Sequence, residues 1–249
     1  MVAHFFYICM VLKSRSMHPA DALNHADTKD LIAFLKQFVT EERFQKFQET
    51  IRFRTRHITI ALEDIFQSHN ASAVLRTCDC FGIQDVHIIE NRNKYEVNPD
   101  VALGASKWLT LMKYNGTGNN TVACLTHLKK QGYRLVATTP HKNGFIPETL
   151  PLDHKTALIF GTELAGLTSA AQDLADDCIR IPMVGFTESL NISVSAAILI
   201  QNLTNRMRAS SFPWQLTEQE KDQIMLVWLK QSIKKSEMII KGFQSSINR

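Results

Sequence analysis

An α/β fold with a mainly parallel sheet flanked by helices, extended at both ends by further helices, is what this 249-residue sequence predicts. Three observations point there. Strand-like stretches alternate with helical ones from Ile58 to Arg208. Several strands, such as ALIF from Ala157, are unbroken apolar runs, the pattern of strands covered on both faces. The two ends carry helical periodicity and no strand pattern.

From Thr28 to Thr50, Leu31, Ile32, Leu35, Phe38, Val39, Phe44 and Phe47 recur at helical spacing, predicting one or two amphipathic helices. Arg52, Arg54 and Arg56 follow on alternate positions; in an extended segment they would point to one side, either as a solvated edge or as a phosphate-binding strip. Ile58–Glu63 reads as a strand. Ser68-His69-Asn70 then introduces a helix from Ala71 to about Cys80, closed by Gly82, and Val86–Glu90 is the next strand. Leu109–Tyr114 is an edge strand, Thr121–Gln131 a helix ended by Gly132, and Tyr133–Thr139 a strand. Ala157–Gly161 is a strand, Ser169–Ala175 a short helix, and Cys178–Met183 the last strand. The helix that follows is apolar almost all round and is expected to be buried. Past the Phe212-Pro213 break, a tail helix from Glu218 to about Lys235 carries Ile224, Val227, Trp228 and Ile233 as a stripe suited to core or dimer contact. These readings divide the chain into an N-terminal helical arm (1–57), a central domain (58–209) and a C-terminal helical extension (210–249).

A hydrophobic content of 45% can fill a sizeable core. The formal charge of +4 permits an RNA partner without requiring one. Five cysteines with no C-x-x-C pair argue against a zinc site and fit a reducing cytoplasm, and no metal is expected. The apolar run His4–Leu12 is far shorter than the roughly 20 residues of a spanning helix. It lacks the basic flank of a signal peptide. With Met17 just beyond it, residues 1–16 are read as dispensable or upstream of the true start. Neither G-x-G-x-x-G after the first strand nor G-x-x-x-x-G-K-[ST] occurs, so a glycine-rich nucleotide turn is not expected.

Polarity is misplaced in one stretch. Between Ile181 and Leu199 a loop with Gly185, Thr187, Glu188, Ser189 and Asn191 enters a helix whose first turns hold Ser193 and Ser195. Capping needs only one such residue. Several of them, with the unpaired N–H groups of a helix start, suit a polar ligand.

Two further stretches share this character, ALEDIFQSHNASAVLRTCDCFGI (61–83) and ALIFGTELAGLT (157–168). In this order, HNASAVLRTCDCFG, FGTELAGL and SLNISVSAA resemble the motif set of the SpoU family of RNA ribose 2'-O-methyltransferases, over about residues 30–245. The short arm and helical tail look most like the TrmH group, which methylates a guanosine in the tRNA D-loop. The resemblance implies a SPOUT fold with a deep trefoil knot in the C-terminal half, an exception to the general absence of knots. It also implies S-adenosylmethionine bound by the knotted loops, with Thr138, Gly161, Ile181 and Leu190 as candidate contacts, and a homodimer sharing its active site. In that dimer Arg52 or Arg54 would be the arginine lent by the partner.

The same resemblance places the family's essential arginine at Arg76. A guanidinium keeps its proton above about pH 12, so a clamp on the target phosphate that stabilises the developing alkoxide suits it better than a literal base. Asn70 and Asn191 would hold the 2'-OH or order the loops, Glu163 would fix its loop by accepting N–H bonds, and Ser189 would touch the cofactor carboxylate or the nucleotide. His69 as base is the less favoured assignment. Two other readings stay open: the same reaction on ribosomal RNA, whose enzymes often carry a separate RNA-binding domain, and an RNA-binding relative without catalysis.

Overall fold

The computed structural model describes residues 25–96, 98–140 and 143–247; residues 1–16, read above as dispensable, lie outside the described residues. The chain divides into two compact units, 55–214 and a second built from both ends, up to 54 and from 215.

The larger unit holds six strands: β1 Ile58–Glu63, β2 Asp85–Ile89, β3 Thr110–Tyr114, β4 Arg134–Thr138, β5 Thr156–Phe160 and β6 Asp177–Ile179. All pair in parallel, in the order β3-β2-β1-β5-β4-β6. That is not the dinucleotide-fold order, in which β4 would sit beside β1. Here β5 lies between them. Alternate residues on β1 serve opposite faces. Ile58, Ile60 and Leu62 pack with α1 (Ser68–Cys80) and α2 (Ile192–Arg208), whereas Ala61 belongs to the cluster with α3 (Asn120–Lys130) and α4 (Ser169–Leu174). A helical turn at Pro99–Ala102 and a 3₁₀ turn at Ala105–Lys107 complete the unit. Burial pushes the Cys124 thiol well up and the His87 imidazole down to about 3, with the His127 charge adding to the latter.

In the unit made by the ends, α5 (His25–Lys36) and α6 (Glu41–Ile51) pack with α7 (Glu218–Ser232), and α8 (Ser236–Ile247) follows. Leu31, Leu35, Phe44, Phe47, Ile224 and Trp228 are buried there, and Phe47 packs against Trp228 at 5.6 Å between ring centres. α7 opens on a capping box in which Thr217 and Glu220 satisfy each other's backbone N–H groups.

Several expectations are corrected. α1 begins at Ser68, so His69 and Asn70 lie in its first turn and not in the turn before it. The last strand stops at Ile179, and Arg180 instead donates its N–H to Phe145; Pro182 has no N–H with which to continue a ladder. α2 is buried along Ala196, Leu199, Ile200 and Leu203 but leaves Val194 and Ile198 open, at 44% and 39% exposure. The tail holds a second helix, α8. The extended arginine segment does not form: Arg52 is an exposed helical C-cap, Arg54 is 1% exposed with its guanidinium over the Trp228 ring, and Arg56 pairs with Asp85 at 3.0 Å. Helical φ and ψ at Arg52 end the alternation before it starts.

Candidate active site

The three polar stretches meet at the C-terminal ends of β1 and β5 and the start of α2. Asn70 Nδ2 donates to Gln67 Oε1 at 2.8 Å and to Glu163 Oε1 at 3.0 Å. Asn191 Nδ2 donates to the same Glu163 oxygen at 2.5 Å and to Asn70 Oδ1 at 3.1 Å. Asn191 Oδ1 accepts from the Ser193 backbone N–H at 2.8 Å, capping α2, and from the Ser193 hydroxyl. Glu163 is thus an acceptor shared by two amides brought from 93 and 28 residues away in the chain. Counting donors and lone pairs, Asn191 is fully engaged, whereas Asn70 Oδ1 keeps one lone pair.

On one side of this network lies a cavity of about 330 Å³. Thr138, Gly161, Ile181 and Leu190, the four cofactor candidates, all line it, as do Glu163 and Ser189. Its floor is the loop after β5, folded back on itself by paired Thr162 and Gly166 N–H···O bonds, each 3.0 Å. Gly161 has no room for a side chain, since a Cβ would land on the Gly166 carbonyl and the Leu167 nitrogen. Gly166 sits at φ +66, the left-handed region glycine tolerates. The volume, apolar walls from Leu190 and Leu199, and exposed backbone groups fit a nucleoside-sized cofactor.

Arg76 does not line that cavity. It is exposed and lines a second, open groove of about 670 Å³ with His69, Thr77, Asp100, Ser193, Val194 and Ile198. The two hollows flank the first turns of α2, and the Glu163–Asn191–Ser193 chain runs from one to the other. Among the sequence candidates, then, Asn70, Glu163 and Asn191 are joined directly and Ser189 lines the cavity. Arg76 and His69 stand on the far side of the helix start. Arg52 and Arg54 belong to the unit built from the ends. Gln67, Gln172 and Glu63, which brace the site, were missed; Glu63 signals itself as a charged residue ending an apolar strand. Among the described residues no cluster of three His, Cys, Asp or Glu could hold a metal.

Residues 57–201 match the model of the SpoU rRNA Methylase family. The chain is 41% identical over 213 residues to a tRNA (guanosine(18)-2'-O)-methyltransferase of Borreliella burgdorferi, covering 86% of this chain and 96% of that protein. It is 31% identical to the enzyme of the same name from Thermus thermophilus over 193 residues, 77% and 97% of the two chains. Among solved structures, a TrmH/SpoU tRNA modifying enzyme of A. aeolicus superposes with a TM-score of 0.69 at 27% identity, covering 78% of this chain and 98% of that one. The methyltransferase AviRb of Streptomyces viridochromogenes, in complex with AdoMet, shares the fold at a TM-score of 0.54 and 20% identity over 65% of each chain.

Proposed function

Because the chain belongs to the SpoU methylase family, we propose that it is an S-adenosylmethionine-dependent methyltransferase that modifies the ribose 2'-OH of a guanosine in the tRNA D-loop. The observation that carries this reading is the convergence of Asn70, Glu163 and Asn191 beside a cavity lined by Thr138, Gly161, Ile181 and Leu190. The near-complete span of the B. burgdorferi enzyme supports tRNA over ribosomal RNA.

The cofactor supplies an electrophilic sulfonium methyl. The chain's own residues have to align the hydroxyl with it and favour loss of the hydroxyl proton. Glu163 locks both amides, so that Asn70 Oδ1 presents its remaining lone pair in a fixed direction, suited to accept from the ribose hydroxyl. Arg76, in the adjoining groove, clamps a phosphate and stabilises the developing alkoxide. Proton acceptance falls to that phosphate or to water, since a guanidinium has no lone pair to offer. Ser189, which lines the cavity, touches the cofactor carboxylate or the nucleotide in this reading.

The same reading includes a homodimer with a shared site. Its support is the groove around Arg76, edged by the open apolar pair Val194 and Ile198, which lies apart from the cofactor cavity within one chain. Arg52, exposed on its helical C-cap, is the arginine suited to reach a partner; Arg54 is engaged with Trp228 in its own chain, and Arg56 with Asp85. The trefoil knot belongs to this proposal too, as what membership of the SpoU methylase family implies. Among the described residues no helix is long and apolar enough to cross a membrane, and a tRNA substrate puts the protein in the cytoplasm.

Incubating the protein with bulk tRNA and methyl-labelled cofactor, then mapping the modified nucleotide, tests the reading. Label at a D-loop guanosine ribose is expected. Label only in ribosomal RNA supplied in parallel, or cofactor and RNA binding with no transfer, would overturn it.

A further inference from the structure

We propose that Glu63, at the end of β1, is a positioning residue for the cofactor cavity, acting through Thr168 on the loop that forms the cavity floor. The inference rests on the reading of that cavity as the S-adenosylmethionine site.

Glu63 is 1% exposed. Its Oε2 accepts the Thr168 N–H at 2.9 Å, and its Oε1 accepts the hydroxyls of Thr168 at 2.7 Å and Thr121 at 2.5 Å. Every one of these partners is a neutral donor, and three bonds occupy most of the roughly four acceptor sites of the buried carboxylate. Thr121, in the first turn of α3, itself accepts from Asn91 Nδ2 at 2.9 Å, so the carboxylate sits at the centre of a chain of bonds linking β1, α3 and the loop after β5.

Thr168 is where that loop ends. It caps α4 by accepting from Ala171 N–H at 3.2 Å, and the stretch before it, Gly161–Leu167, lines the cavity throughout. The loop's near end is fixed by β5 and by the close approach of Gly166 to Gly161. Its far end is fixed by Glu63, with Gln172 Nε2 to the Leu167 carbonyl at 3.0 Å as a lesser tie. Since Glu163 rides on this loop, a shift of Thr168 is transmitted both to the cavity wall and to the acceptor shared by Asn70 and Asn191. A side chain that is buried, touches neither hollow and yet bonds the residue that ends the cavity floor fits the role of a brace for an outer group.

Glu63→Gln keeps the shape but turns one acceptor into a donor facing donors. Titration calorimetry of the full chain with S-adenosylhomocysteine is expected to show affinity reduced about tenfold, the loss of one charge-assisted hydrogen bond. Thr168→Val should weaken binding similarly, Thr168→Ser should bind as the unaltered chain does, and the Glu63→Gln/Thr168→Val double variant should be no weaker than Glu63→Gln alone. Filter binding of bulk tRNA should be unchanged in all four. If Glu63→Gln does not fold, the valine and serine pair carries the test alone. Equal cofactor affinity across the folded variants, or tRNA affinity falling in parallel, overturns the inference. An unaltered chain that binds no S-adenosylhomocysteine overturns the cofactor reading itself, and this inference with it.

Discussion

Asn191→Asp separates the two jobs of the residue at the start of α2. Aspartate is as good an N-cap as asparagine, so the Ser193 N–H stays satisfied and the helix dipole is served better than before. The amide nitrogen, however, becomes a second carboxylate oxygen 2.5 Å from Glu163 Oε1 and 3.1 Å from Asn70 Oδ1, with no proton to offer either. Two donated bonds are lost; with both Glu163 and Asn191 exposed to water, each is worth about 1 kcal/mol. Together they correspond to roughly 30-fold in turnover at saturating tRNA. The same two bonds should lower Tm by about 4–8 °C, and Asn191→Ala, which also loses the cap at about 1 kcal/mol, should lower it by about 2–4 °C more. Lower pH should restore part of the aspartate variant's activity, because a proton shared between the two carboxyl groups replaces the lost donor. Methyl transfer from labelled cofactor to tRNA, measured with melting curves across pH, decides the matter. Full activity in Asn191→Asp would refute the claim that the Asn70–Glu163–Asn191 network sets the site.

Arg76→Lys keeps charge but not the planar fork, and should cost about 100-fold in methyl transfer with cofactor affinity unchanged; near-full turnover would show that paired donors are not needed. Gly161→Ala forces the loop off its own backbone, and about 1–3 kcal/mol of stability together with most cofactor affinity should go, as read by urea unfolding and calorimetry. Mixing Arg76→Ala protein with Arg52→Ala protein should recover part of the activity if one site draws on two chains, and no recovery would count against a shared site. His87 is neutral in the fold down to about 3 but takes a proton near 6.5 when unfolded, so the stability it contributes is present above pH 6.5 and lost as pH falls. Urea unfolding should therefore show about 2 kcal/mol less stability at pH 5 than at pH 7, and His87→Gln should flatten that difference.

Strand positions were readable from the sequence because buried parallel strands are written as apolar runs: β1 and β5 stand within a residue of their expected ends. Strand order was not, since alternation of strand and helix is the same whether β4 or β5 neighbours β1. The three polar stretches announced Asn70, Glu163 and Asn191 by being hydrophilic where a core was due. What periodicity cannot supply is which side of α2 a neighbouring helix presents, and so it does not reveal that Arg76 and Gly161 line two separate hollows. The arginine triplet misled for a local reason: alternation has meaning only in extended chain, and the preceding helix runs on through Arg52.

The unit built from both ends has a consequence for biosynthesis. Leu31, Leu35, Phe44 and Phe47 leave the ribosome early, but Ile224 and Trp228, buried in the same unit, emerge only after about 180 further residues have been translated. Until then those apolar faces wait uncovered, a period in which nascent chains are prone to associate wrongly or engage chaperones. A stop codon soon after Trp214 would accordingly do more than remove a tail: it would strand the first two helices without their lid, and insolubility of such a product is expected even though every residue of the methylase fold has been made.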